Sequence, residues 1–138
     1  MLYRKRIGRS TRGKKLDTMD KLMTKILRLK RGNWCEISGR HANNIGVAHI
    51  LPKGIYPKMR YHERNLLLMC WFPVHSNLHH YSDFDPPNQR TIERIKELRG
   101  EDYRDQLLVI NQMQPAMTSM RLDMIHAALK MELKELQG

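Results

Sequence analysis

The apolar positions fall into a few short, separable stretches. Leu16, Met19, Leu22, Met23, Ile26, Leu27 and Leu29 recur at helical spacing, with Lys and Arg on the other face. They predict an amphipathic helix from Asp17 to about Lys30, stopped by Gly32. Trp34–Ile37 and Val47–Leu51 read as short strands, separated by the Ser38-Gly39 turn and a polar loop over His41–Gly46. Pro52, Gly54 and Pro57 make 52–60 a loop, Leu66–Met69 is a short apolar run, and 73–80 reads as the start of a short helix. A turn at Asp83–Pro87 leads into helices over 87–98, 101–112 and 118–136, separated by Gly100 and Pro115. In the last of these, Leu122, Ile125, Leu129, Leu133 and Leu136 stand at offsets 0, 3, 7, 11 and 14, close to a heptad seam. Met113, Met117, Met120 and Met124 read as part of a seam as well. No apolar run approaches the roughly 18 residues of a membrane span.

Charge changes this picture most. The chain has 138 residues and a net charge of +11, from 25 Lys and Arg against 14 Asp and Glu. The first 31 residues hold 12 basic and 2 acidic side chains, or +10; the other 107 hold 13 and 12, or +1. A near-neutral domain therefore carries a basic arm over 1–15, where Gly8, Ser10, Thr11 and Gly13 disfavour helix and predict flexibility. Arg4, Lys5, Arg6, Arg9, Arg12, Lys14 and Lys15 suit a polyanion, because pairing with phosphates releases counterions. The N-terminus lacks the apolar core of a signal peptide. With only Cys35 and Cys70 as thiols, the expected compartment is the cytoplasm, with both cysteines reduced.

One ordered set of residues carries chemistry. His49 closes a predicted strand, Asn65 follows before the next apolar run, and His75 and His79 stand four apart, where one helix face can grip a cation from two sides. This order, with Cys35-Glu-Ile-Ser38, Ala48-His49-Ile50, Arg60 to Asn65 and Cys70 to His75 around it, resembles the HNH (ββα-metal) nuclease family. Within that family the chain is most similar to phage recombination endonucleases of the lambda NinG (Rap) type. The resemblance implies an α+β fold, a small ββα-metal core flanked by an N-terminal helix and a C-terminal helical segment. It divides the chain into the arm (1–15), the nuclease core with its preceding helix (16–82) and a helical region (83–138).

The resemblance implies that His49 is the general base, that Asn65 holds the His49 loop, and that His75 and His79 bind a divalent cation, Mg²⁺ or Mn²⁺ before Zn²⁺. Arg60 and Arg64 would clamp phosphate oxygens. Ala48 stands where many relatives carry an Asp or His ligand, and Ser38 and Pro73 stand where relatives complete two C-x2-C zinc pairs. Cys35, His41 and Cys70 are left as an incomplete set for a structural zinc, and His80 rivals His79. The expected function is metal-dependent DNA endonuclease action on branched recombination intermediates such as Holliday junctions. The alternatives are a non-catalytic DNA-binding module on a degenerate HNH scaffold and an HNH nuclease of linear duplex. Two cuts on one junction point to a homodimer, with helices 87–136 as its main surface and the 16–29 helix, whose apolar face is wider than a small ββα core needs, as a second candidate; the alternative is that the last helix folds back on its own 87–112 helices.

Overall fold

The computed structural model describes residues 10–41, 45–70 and 89–138. The fold is α+β and helix-rich: α1 (Thr11–Arg31), β1 (Ile45–His49), β2 (Leu66–Cys70), α2 (Gln89–Arg99), α3 (Tyr103–Met113) and α4 (Ser119–Gln137). Short 3-10 turns at Pro57–Met59 and Glu63–Asn65 shape the connection between the strands.

Helix α1 starts at Thr11, well before the Asp17 that apolar periodicity predicts. Ser10 caps it, its hydroxyl accepting from the Gly13 N–H at 3.1 Å. Gly13 costs a helix about 1 kcal/mol, which two tethers help offset: Arg12 Nη2 donates to the Met117 carbonyl at 3.0 Å, and Lys15 pairs with Asp123. The expectation of a flexible arm through residue 15 is therefore corrected for 11–15. Arg12, Lys14 and Lys15 ride on α1, while Arg4, Lys5, Arg6 and Arg9 lie outside the described residues. Gly32 ends the helix at φ +84°, where a Cβ would also meet the Trp34 ring at 3.0 Å.

β1 and β2 pair antiparallel in a register running from Ile45 opposite Cys70 to His49 opposite Leu66. The predicted strand at Trp34–Ile37 is not one: Trp34 makes a single bridge to His41, and 36–38 is a turn. Glu36 pairs with β2 at its outer edge. Its N–H donates to the Leu68 carbonyl at 2.7 Å, and its carboxylate accepts from the Leu68 N–H at 2.6 Å. Arg31 and Arg99 each pair with that carboxylate at 3.0 Å and each donate to the Leu66 carbonyl. Thus α1 and α2 are tied to β2 through one acidic residue. All five residues of β2 are buried, which is why it reads as an unbroken apolar run and not as an alternating one.

Helix α4 packs along α1. Leu122 and Leu129 are 1% and 6% exposed, with Ile125 and Leu133 packed at the edge of the same core. Four of the five positions of the near-heptad stripe expected to offer a dimer surface thus pack inside the chain, and Leu136 stays exposed. The same packing explains the breadth of the α1 apolar face, where Met19, Met23, Ile26 and Leu27 are all buried. The first and last helices share one core across the boundary expected at 82/83. Of the expected methionine seam, Met113, Met120 and Met124 face solvent, and Met117 is partly buried against the core.

Candidate functional site

His49 is the last residue of β1, and the chain turns away immediately after it. Ile50 N donates to the Asn65 carbonyl at 2.9 Å, so the strand ladder gives way to a loop clasp. The Asn65 side chain is fully buried. Its Oδ1 accepts from Leu51 N at 2.7 Å, and its Nδ2 donates to the carbonyls of Leu51 at 3.1 Å and Met59 at 3.2 Å. One amide therefore holds both the start and the middle of the 50–65 loop.

That clasp delivers the Arg60 carbonyl to His49, whose Nε2 lies 3.0 Å from it. A carbonyl can only accept, so the ring carries its proton on Nε2 and presents Nδ1 as a lone pair. Burial draws the His49 pKa down to about 4, with Lys53 and Arg60 adding to the effect, and outweighs the Arg60 carbonyl and Asp20, which favour the cation. At neutral pH the imidazole is uncharged.

The Arg60 side chain points the other way, into α1. Its Nε and Nη2 donate to the two Asp20 oxygens at 3.1 and 2.6 Å, a forked pair of the strong kind. The Tyr61 hydroxyl donates to Asp20 Oδ1 at 2.7 Å. Burial pushes the Asp20 carboxyl up, but the bonds from Arg60 and Tyr61 outweigh it and hold the group below its usual range. Arg64 is exposed, with Nη2 donating to Gln106 at 3.0 Å and the guanidinium over the Tyr103 ring.

A cleft of about 760 Å³ lies between α1 and β1, and Arg64 is not part of its lining. Its floor holds His49, Asp20, Arg60 and Tyr61, and its walls carry Lys21, Lys25, Arg28 and Lys53. Lys21 and Lys25 stand one helical turn apart on α1, with Arg28 on the next turn. Lys21, Lys25 and Lys53 are exposed and make no ion pair among the described residues. Among the described residues Asp20 is the one acidic group in the lining, and Arg60 pairs with it. The cleft is a cationic trough with a neutral imidazole in it.

His75 and His79, expected as metal ligands, lie outside the described residues, as does His80. Among the described residues no three His, Cys, Asp or Glu side chains come together to hold a metal. Cys35, His41 and Cys70 do not form such a group either. Cys35 and Cys70 are buried and not joined in a disulfide, and the His41 ring is exposed, edge-on to Trp34 at 5.1 Å. Burial raises the Cys35 thiol, but hydrogen bonds from Ser38 and from the backbone N–H groups of Cys70 and Ile37 bring it below its usual value. No protein-family model, no curated protein and no solved structure matches the chain.

Sequence reasoning alone does not single out Asp20, Tyr61, Lys21, Lys25 and Lys53. The spacing of Lys21, Lys25 and Arg28 is a usable signal, since it places three cations along one face of α1. No sequence signal pairs Asp20 with Arg60 forty residues on.

Proposed function

We propose that the chain is a DNA endonuclease that hydrolyses phosphodiester bonds, acting on branched recombination intermediates. The observation that carries this reading is a tautomer-fixed, neutral His49 in a trough of exposed lysines. Lys21, Lys25 and Lys53 would seat a phosphate backbone over the imidazole. The His49 Nδ1 lone pair would take a proton from an attacking water, and the Nε2–H bond to the Arg60 carbonyl would stabilise the imidazolium that forms. A divalent cation, implied by the family resemblance and expected on His75 and His79, would supply positive charge to the scissile phosphate. The preference for branched DNA rests on that resemblance.

The ring's environment also favours a second reading, the non-catalytic DNA-binding module. A base with a pKa of about 4 has little driving force for proton abstraction, and Ala48 withholds a further polar group. Incubating labelled four-way junctions and their linear arms with the full chain and Mg²⁺ or Mn²⁺ separates the readings. Nicking that vanishes in His49→Ala sustains the endonuclease. Junction binding with no nicking in either metal leaves the binding module. A second copy, which paired cuts need, would have to use a surface other than the Leu122 and Leu129 stripe.

A further inference from the structure

We infer that Asp20, on the helix that precedes the strand pair, is a positioning residue that fixes the tautomer and orientation of His49 through Arg60. This rests on the reading of His49 as the reactive group, and it adds to the site a residue that acts through another. Both halves of the linkage run through residue 60. Asp20 takes both fork hydrogens of the Arg60 guanidinium at 3.1 and 2.6 Å, and the carbonyl of the same residue lies 3.0 Å from His49 Nε2. Side chain and carbonyl thus pull in opposite directions, one onto α1 and one onto β1. Residue 60 cannot rotate its peptide without breaking one of them.

Tyr61 braces the carboxylate, its hydroxyl reaching Asp20 Oδ1 at 2.7 Å and the Leu16 carbonyl at 3.2 Å. Asn65 holds the adjoining Met59 carbonyl at 3.2 Å, so residue 60 is restrained from both sides. The Asp20 and Arg60 side chains are 32% and 16% exposed, burial enough for the fork to resist competition from water. The arrangement also makes Arg60 a poor phosphate clamp, because Asp20 already holds its fork.

The test reads the imidazole and not the reaction. Long-range ¹H–¹⁵N spectra of the full chain, with His49 assigned by His49→Gln, report which ring nitrogen carries the proton and how the ring titrates. Wild type should show the Nε2–H form alone and no protonation down to about pH 5. Asp20→Ala should mix in the Nδ1–H form, while losing the carboxylate's charge by itself moves the midpoint further down, away from the ordinary value. Tyr61→Phe, which leaves the fork intact, should keep the wild-type pattern. Lys53 and Arg60 face the ring as cations and Asp20 as an anion, so charge removal alone shifts the midpoint in all Asp20 variants; only the tautomer reports the linkage. If Asp20→Ala does not fold, Asp20→Asn preserves the shape and should show the same mixing. A folded Asp20→Ala or Asp20→Asn with an unmixed Nε2–H ring overturns the inference, and so does a wild-type ring in the Nδ1–H form. A correct tautomer response in a chain that never nicks DNA would leave the linkage standing and remove the endonuclease reading instead.

Discussion

Asn65→Ala perturbs fold and site together, and its cost can be worked from the structure. The substitution deletes three hydrogen bonds made by a fully buried side chain. The Leu51 N–H is left without a partner on a residue that is itself 0% exposed, at about 1–3 kcal/mol for a buried unsatisfied donor. The Met59 carbonyl keeps the His62 N–H at 3.3 Å and loses less. Adding the void left by the amide brings the total to about 3–4 kcal/mol, a large share of the roughly 5–15 kcal/mol typical of a domain. Urea unfolding followed by circular dichroism should show the midpoint falling with little change in slope, and thermal unfolding should fall by roughly 10 °C. Asn65→Asp should do no better, since it keeps an acceptor for Leu51 N but offers nothing to the two carbonyls and buries a charge. A loss below about 1 kcal/mol in Asn65→Ala would refute the claim that this amide clasps the loop.

Other expectations follow from the same geometry. His49 has a folded pKa of about 4 against 6.5 unfolded, so the unfolded chain binds the extra proton between those values; stability should be complete above about pH 6.5 and decline as pH falls toward about 4, by up to roughly 3 kcal/mol. His49→Gln should flatten that decline in urea midpoints, and a parallel pH dependence in wild type and variant would refute it. Asp20, whose carboxyl is lowered, adds its own loss only below its ordinary 3.8. Replacing Lys21, Lys25 and Lys53 by Gln should weaken binding to all DNA and flatten the salt dependence by up to about 2.7, since each neutralised phosphate contributes about 0.9 to the slope; an unchanged slope would take the trough out of the DNA interface. Leu129→Glu should unfold the chain and not merely separate copies, because a 6%-exposed leucine on α4 faces the core shared with α1; about 3–5 kcal/mol is expected, and a stable, folded variant by circular dichroism would contradict that packing.

Local signals in the sequence are readable where the cause is local. Gly32, Gly100 and Pro115 punctuate the helices near where the structure ends them, and Asn65 sits where a clasp is needed. The misreadings share a different cause. Helix α1 extends back to Thr11 because of partners near the other end of the chain, Met117 and Asp123. The 34–37 segment reads as a strand from its apolar residues, yet it pairs with β2 through Glu36. The leucine stripe of α4 reads alike whether its partner is another copy or α1, since periodicity reports a buried face and not what covers it. The Asp20–Arg60 fork is invisible for the same reason: it joins side chains that no repeat or spacing connects.

The most direct test of the endonuclease reading is strand nicking set beside binding for wild type and His49→Ala, on one labelled four-way junction with Mg²⁺ or Mn²⁺. Wild type should nick the junction, and His49→Ala should bind it with nearly unchanged affinity while nicking is abolished, as expected if the ring acts in the chemistry and the lysines in the docking. Nicking that survives in His49→Ala, or binding and nicking that fall together, would contradict it.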